Sequence, residues 1–206
     1  MHALINKALQ SYITACHGFD VWQTVALRAR VPSDPLDIML QMRPGQTLDI
    51  LQAMTDVLGQ DRSVMLEDLG TFLAAHPDCE NLRRLLRFGG QNFMDFLLSL
   101  PDMPARVRLA VPDMPMPRLR ISQKPRPVSM QAHLELICST CVPGWAHVLL
   151  GLVRAMADDY GALALLDLVH ADHDHHVISI KVIEAGFATP RQFHLRKPNS
   201  TAQAAQ

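Results

Sequence analysis

Residues able to do chemistry fall into a few short clusters along this chain. Cys138 and Cys141 form a C-x-x-C, a spacing that lowers thiol pKa in redox proteins and supplies half of a zinc site. No second C-x-x-C accompanies it and no βαβ unit surrounds it, so structural cysteines are favoured, with an oxidisable pair as the alternative. The run HADHDHH sets His170, His173, His175 and His176 beside Asp172 and Asp174, a donor set able to hold zinc or nickel through imidazole nitrogens. Strand-like runs flank it, so a polar hairpin loop is favoured over a metal site. Arg83, Arg84 and Arg87 are read as a solvated helix face rather than a phosphate site, and Asp158 with Asp159 as an exposed helix end. There is no glycine-rich phosphate loop, no G-x-S-x-G and no H-E-x-x-H, so no catalytic constellation emerges and an enzyme is not expected.

The elements that must position these groups follow from composition and periodicity. At 206 residues with 49% hydrophobic content, the chain is long enough to bury a core without staples and is not of disordered type. A net charge of -1 gives no bulk attraction to nucleic acid or anionic lipid, and neither partner is expected. No basic leader precedes an apolar run and no stretch is long enough for a membrane span, which together with four cysteines read as reduced points to a cytoplasmic protein.

Helices are predicted from Ala3 to Cys16, from an N-cap at Asp20 to about Arg30 with Val21, Trp22, Val25 and Leu27 inward, and from Thr47 to Leu58, with a short helix or turn near Leu36 to Met42. Another starts at an N-cap Ser63 and carries Met65, Leu66, Leu69, Phe72 and Leu73, and a further turn or two spans Asn81 to Phe88. Phe93, Phe96, Leu97 and Leu100 then recur at helical spacing before Pro101, Pro104, Pro112, Pro115 and Pro117 take over. Proline fixes φ and removes a backbone donor, so a regular helix is expected to stop there and a stiff connection to begin. Beyond it, Arg118–Ser122, Met130–Ile137, Ala162–Val169 and Val177–Ile183 read as strands, with one long helix from Gly144 to Tyr160. The predicted class is α+β: a helical part over about 1–110, then an antiparallel sheet with one long helix over about 111–186, and a largely disordered tail over 187–206.

Six segments in order, MHALINKALQSYI, FDVWQTVALRA, LEDLGTFLAAHP, NFMDFLLSL, VRLAVPDMPMPRL and GWAHVLLGLVRAMADDYG, resemble the H-NOX family of haem nitric-oxide/oxygen binding domains over roughly Met1 to Gly186. The resemblance implies one domain in which the helical and mixed parts clasp a haem b. It also implies a histidine on the iron just after the helix corresponding to Phe93–Leu100, and at that position this chain holds Pro104. Proline has no donor atom for iron. The family's Tyr-x-Ser-x-Arg, which grips the haem propionates, falls on Ile137–Cys141, where only Ser139 survives and Cys141 replaces the arginine. Pro117 matches a proline that presses on the porphyrin, and Ile5 an apolar residue on the ligand side. Met103 and His147 are the fallback iron ligands.

The expectation is therefore a non-enzymatic sensory or regulatory module without histidine-ligated haem. It would act on a separate signalling protein of the histidine kinase or cyclic-nucleotide cyclase type. The alternatives are a haem-based nitric oxide or oxygen sensor with an unusual axial ligand, and a thiol or metal sensor on the same scaffold. An unfilled apolar pocket loses packing contacts, so partial inward collapse is favoured over occupancy by a small apolar ligand.

Overall fold

The computed structural model describes residues 3–34, 43–139, 144–171 and 175–184. Seven helices precede the sheet among these residues: α1 (Ala3–His17), α2 (Phe19–Ala29), α3 (Gln46–Leu58), α4 (Arg62–Ala75), α5 (Glu80–Arg87), α6 (Phe93–Ser99) and α7 (Met103–Ala110). Strands β1 (Arg118–Gln123) and β2 (Ala132–Ser139), the long α8 (Trp145–Tyr160), and β3 (Leu163–Ala171) and β4 (His175–Glu184) complete the fold. The four strands form an antiparallel sheet in the order β1-β2-β4-β3. This is the α+β arrangement predicted, and each strand lies within two residues of its expected bounds. The expected turn near 36–42 and the tail lie outside the described residues.

Local corrections have simple causes. α2 starts at Phe19 with Gly18 as its cap rather than Asp20, and Leu27 is 81% exposed while Ala26 and Ala29 turn inward. From Trp22, positions three, four and seven residues on share its stripe, and Leu27 at five does not. α4 is capped at Asp61, which leaves Ser63 inside the helix. The prolines do not end helical structure after α6. A 3₁₀ turn, Leu100–Asp102, and then α7 follow at once, with Pro101 and Pro104 in their opening turns. There the missing N–H has no intrahelical partner to lose, so proline is tolerated.

Two hydrophobic clusters make up the interior. One gathers α1, α2, α3 and much of α4 around Leu9, Ile13, Trp22, Ile50 and Met54. The other places α6 and α8 over the sheet, with Phe93, Phe96, Leu136, Val153, Ile178 and Ile180 inside. The clusters meet where α4 crosses α8. A Cβ on Gly151 would stand 1.8 Å from the Glu67 carbonyl oxygen, and one on Gly70 2.0 Å from that of Val148, so the two backbones touch with no side chain between them. Glu67 pairs with Arg154 across this crossing, and the Thr71 hydroxyl lies 3.4 Å from the Gly151 carbonyl oxygen.

Two measurements check this arrangement. Gly151→Ala is expected to lower unfolding free energy by about 3 kcal/mol in denaturant titration, because rigid backbone must move, whereas Leu27→Ala at an exposed site should change it by less than about 0.5 kcal/mol. Burial, with smaller contributions from Asp68 and Cys16, pushes the Tyr12 hydroxyl up from 10.0 to about 12. Its stabilising contribution is thus present below pH 10 and is lost as pH rises through about 12, which a pH series of melts with phenolate absorbance should show.

Candidate functional site

The seam between the two clusters forms a cavity of about 320 Å³ that opens to solvent on one side. Its walls come from every helix around the crossing. α1 supplies Leu4, Ile5, Ala8 and Leu9, and α4 supplies Leu66, Leu69 and Leu73. α5 supplies Leu82, Leu85 and Leu86, while α8 supplies Trp145, Val148, Leu149 and Leu152. α7 and the segment after it close the remaining side through Met103, Val107, Ala110, Val111, Met114 and Met116. The α8 residues recur at i, i+3, i+4 and i+7, so a single stripe of that helix faces the space. Exposed Ala110 stands among the lining residues and marks the solvent side.

Chemically the wall is uniform. Thr47 carries its one hydroxyl, and that proton is donated to Asn6 Oδ1 at 2.7 Å. The Trp145 indole N–H is buried without a partner among the described residues. Among the described residues no histidine, cysteine, tyrosine, lysine, arginine or carboxylate lines the space. The strongest donors to a soft metal are the thioethers of Met103, Met114 and Met116. The partial inward collapse favoured from the sequence has not closed the pocket, and the reason is steric. α4 and α8 already touch backbone to backbone, so neither can move further in.

The residues singled out in the sequence divide accordingly. Ile5, half-buried, and Met103, 8% exposed, both reach the wall. Pro104 is buried in the first turn of α7 and Pro117 is buried just before β1, and neither lines the cavity, although their neighbours Met103 and Met116 do. Ser139 ends β2 opposite Arg118 and His175. His147 sits in the first turn of α8, off the stripe that faces the cavity. Its pKa is lowered by burial first and by His176 second. Cys141 lies outside the described residues, and Cys138 is fully buried in the cluster beneath α8. β3 and β4 pair as the predicted hairpin, but β3 runs to Ala171 and β4 begins at His175, so His170, His175 and His176 are strand residues rather than loop. No group of three or more histidine, cysteine or carboxylate side chains able to hold a metal occurs among the described residues.

The basic triplet and the acidic pair turn out to explain each other. Arg84 pairs with Glu80 on the surface, as a solvated face would. Arg83 and Arg87 instead both grip Asp159, whose side chain is 9% exposed, with Arg87 Nη1 2.8 Å from Oδ2. Only Asp158 is an exposed helix end. The Tyr160 hydroxyl donates to the Gly90 carbonyl at 2.8 Å, and the Arg87 guanidinium lies 4.8 Å over the Tyr160 ring. Burial raises the Tyr160 pKa, against the opposing Arg87 charge. This set of contacts holds α5, and so Leu82, Leu85 and Leu86, in the cavity wall.

These features agree with what comparison shows. The sequence profile described as HNOB: Haem-NO-binding matches residues 2–165, and the chain belongs to that family. A soluble guanylate cyclase, gcy-31 of Caenorhabditis elegans, is 22% identical over 182 residues. That match takes in 86% of this chain and 25% of the cyclase, so the chain spans about a quarter of that relative's length. The H-NOX protein from S. oneidensis in the Fe(II)NO ligation state superposes with a TM-score of 0.69 at 16% identity, covering 88% of this chain and 99% of that one. The Fe(II) unliganded H-NOX protein from K. algicida gives 0.70 at 14% identity, covering 92% and 100%. The fold is thus that of H-NOX sensor domains.

Sequence reasoning missed Leu4, Trp145, Met114, Met116 and the three α5 leucines as wall residues. Helical spacing marks most of them as inward-facing, but spacing alone does not say which of two clusters a stripe faces. The contacts of Asp159 yield a test: Asp159→Asn should destabilise by about 2–3 kcal/mol in denaturant titration, since two arginines lose their ionic partner. Losses in Asp159→Asn and Arg83→Ala should be far from additive when the two are combined.

Proposed function

We propose that this chain is a non-enzymatic regulatory module of H-NOX type that does not hold haem through histidine and that biases a signalling partner of the histidine kinase or cyclic-nucleotide cyclase type. One observation carries the reading: residue 104, where the resemblance puts the family's iron-binding histidine, is proline, and among the described residues the cavity wall beside it supplies no imidazole. Haem b also needs cationic or hydrogen-bonding groups for its propionates, and the wall offers no cation among the described residues. The residues present thus do not fit a histidine-ligated haem. The partner class is inferred from the family and from the likeness to a guanylate cyclase.

Met103 at the cavity wall favours a second reading, haem with a thioether ligand. The thiol alternative is less supported, because Cys138 is sealed in the core, where oxidants do not reach it. One experiment separates the first two. Protein produced with 5-aminolevulinate and then titrated with haemin is expected to show no stoichiometric Soret band that shifts with nitric oxide. A stoichiometric, nitric oxide-responsive band would overturn the haem-free reading, and its loss in Met103→Leu would establish thioether ligation.

A further inference from the structure

We propose that the cavity at the seam is a binding site for an uncharged, mainly hydrocarbon molecule. This deepens the haem-free reading above and rests on it. Volume sets the size of the occupant. A cavity of about 150 Å³ lined by aliphatic side chains accepts benzene, so about 320 Å³ has room for a dozen or so heavy atoms.

The wall sets its chemistry. Thr47 has committed its hydroxyl proton to Asn6, and among the described residues the one spare donor on a lining side chain is the Trp145 indole N–H. No cation among the described lining residues can pair with a carboxylate or phosphate, and burying an unpaired anion is prohibitive. Leucines and methionines, by contrast, adapt to a flexible chain. The ligand is therefore neutral, with few polar atoms, in the class of medium-chain alcohols, ketones or esters.

Position sets its consequence. Ile5, Leu9 and Leu66 contact or belong to the cluster of α1–α4, whereas Leu86, Met103 and Leu149 belong to that of α6, α8 and the sheet. An occupant touching both sides fills the gap at this seam and so favours one relative placement of the two clusters.

A brominated decanol tests this on protein first shown by absorbance to be free of haem. Trp145 lines the cavity while Trp22 is fully buried elsewhere, with its N–H on the Ser33 carbonyl. Saturable quenching of tryptophan emission is expected, together with a Tm rise of about 5 °C or more at a hundredfold excess over Kd. Trp145→Phe should lose most of the quenching and keep the Tm rise. Ala8→Phe and Val107→Phe, which fill the cavity from opposite walls, should each weaken binding at least about tenfold while remaining folded by circular dichroism. Decanoate, at a pH well above its pKa, should bind at least about tenfold more weakly than decanol. Absence of saturable quenching and of a Tm rise, undiminished binding in both filled variants, or decanoate binding as tightly as decanol would each overturn the proposal. A stoichiometric haem would overturn the preceding reading instead, whereas haem-free protein indifferent to decanol overturns only this one.

Discussion

The contact on which the structure depends is the crossing of α4 and α8 at Gly70 and Gly151. There, missing side chains let one helix lay its backbone on the carbonyls of the other. Larger residues flank the glycines on both helices. Leu66, Leu69 and Leu73 on one, and Val148, Leu149 and Leu152 on the other, form one side of the cavity, and α1, α5 and α7 form most of the rest. Larger side chains at the crossing would push the helices apart, and smaller ones along the flanks would enlarge the gap.

Charge secures the remaining wall. α5 is short, and eight residues of isolated helix are marginal in water. Asp159 between Arg83 and Arg87, with Tyr160 bonded to the Gly90 carbonyl, supplies the tertiary anchoring that its own length does not. The leucine face of α5 is thereby presented to the cavity, with both arginines directed to α8. A mechanical role of this kind uses the same residue types as a phosphate site, which explains how the triplet invites a functional reading.

The proposed reading turns on Pro104, which the resemblance puts where the family holds its iron-binding histidine. Pro104 occupies a helix start where its lack of an N–H does no harm, so the local backbone does not need a histidine there. What surrounds it is a set of thioethers and aliphatic chains suited to apolar contact. On the proposed reading, two hydrophobic clusters facing each other across a cavity are what lets occupancy be felt, whatever the class of the occupant.

The sequence by itself determined most element types, the division into a helical and a mixed part, the β3–β4 pairing under the histidine run, and that proline, with no donor atom for a metal, stands at position 104. These are local matters: period, turn residues and the identity of one side chain at one position. Only the tertiary structure decided that Ile5 and Met103 share a wall while Pro117, Ser139 and His147 stand apart from it. It alone showed that Asp159 is clamped rather than exposed, and that α7 follows Pro101 and Pro104 instead of ending at them. The physical reason is the same in each case. A stripe of leucines or a pair of charges states what it needs as a partner, but which partner it meets depends on where two glycines let distant helices touch.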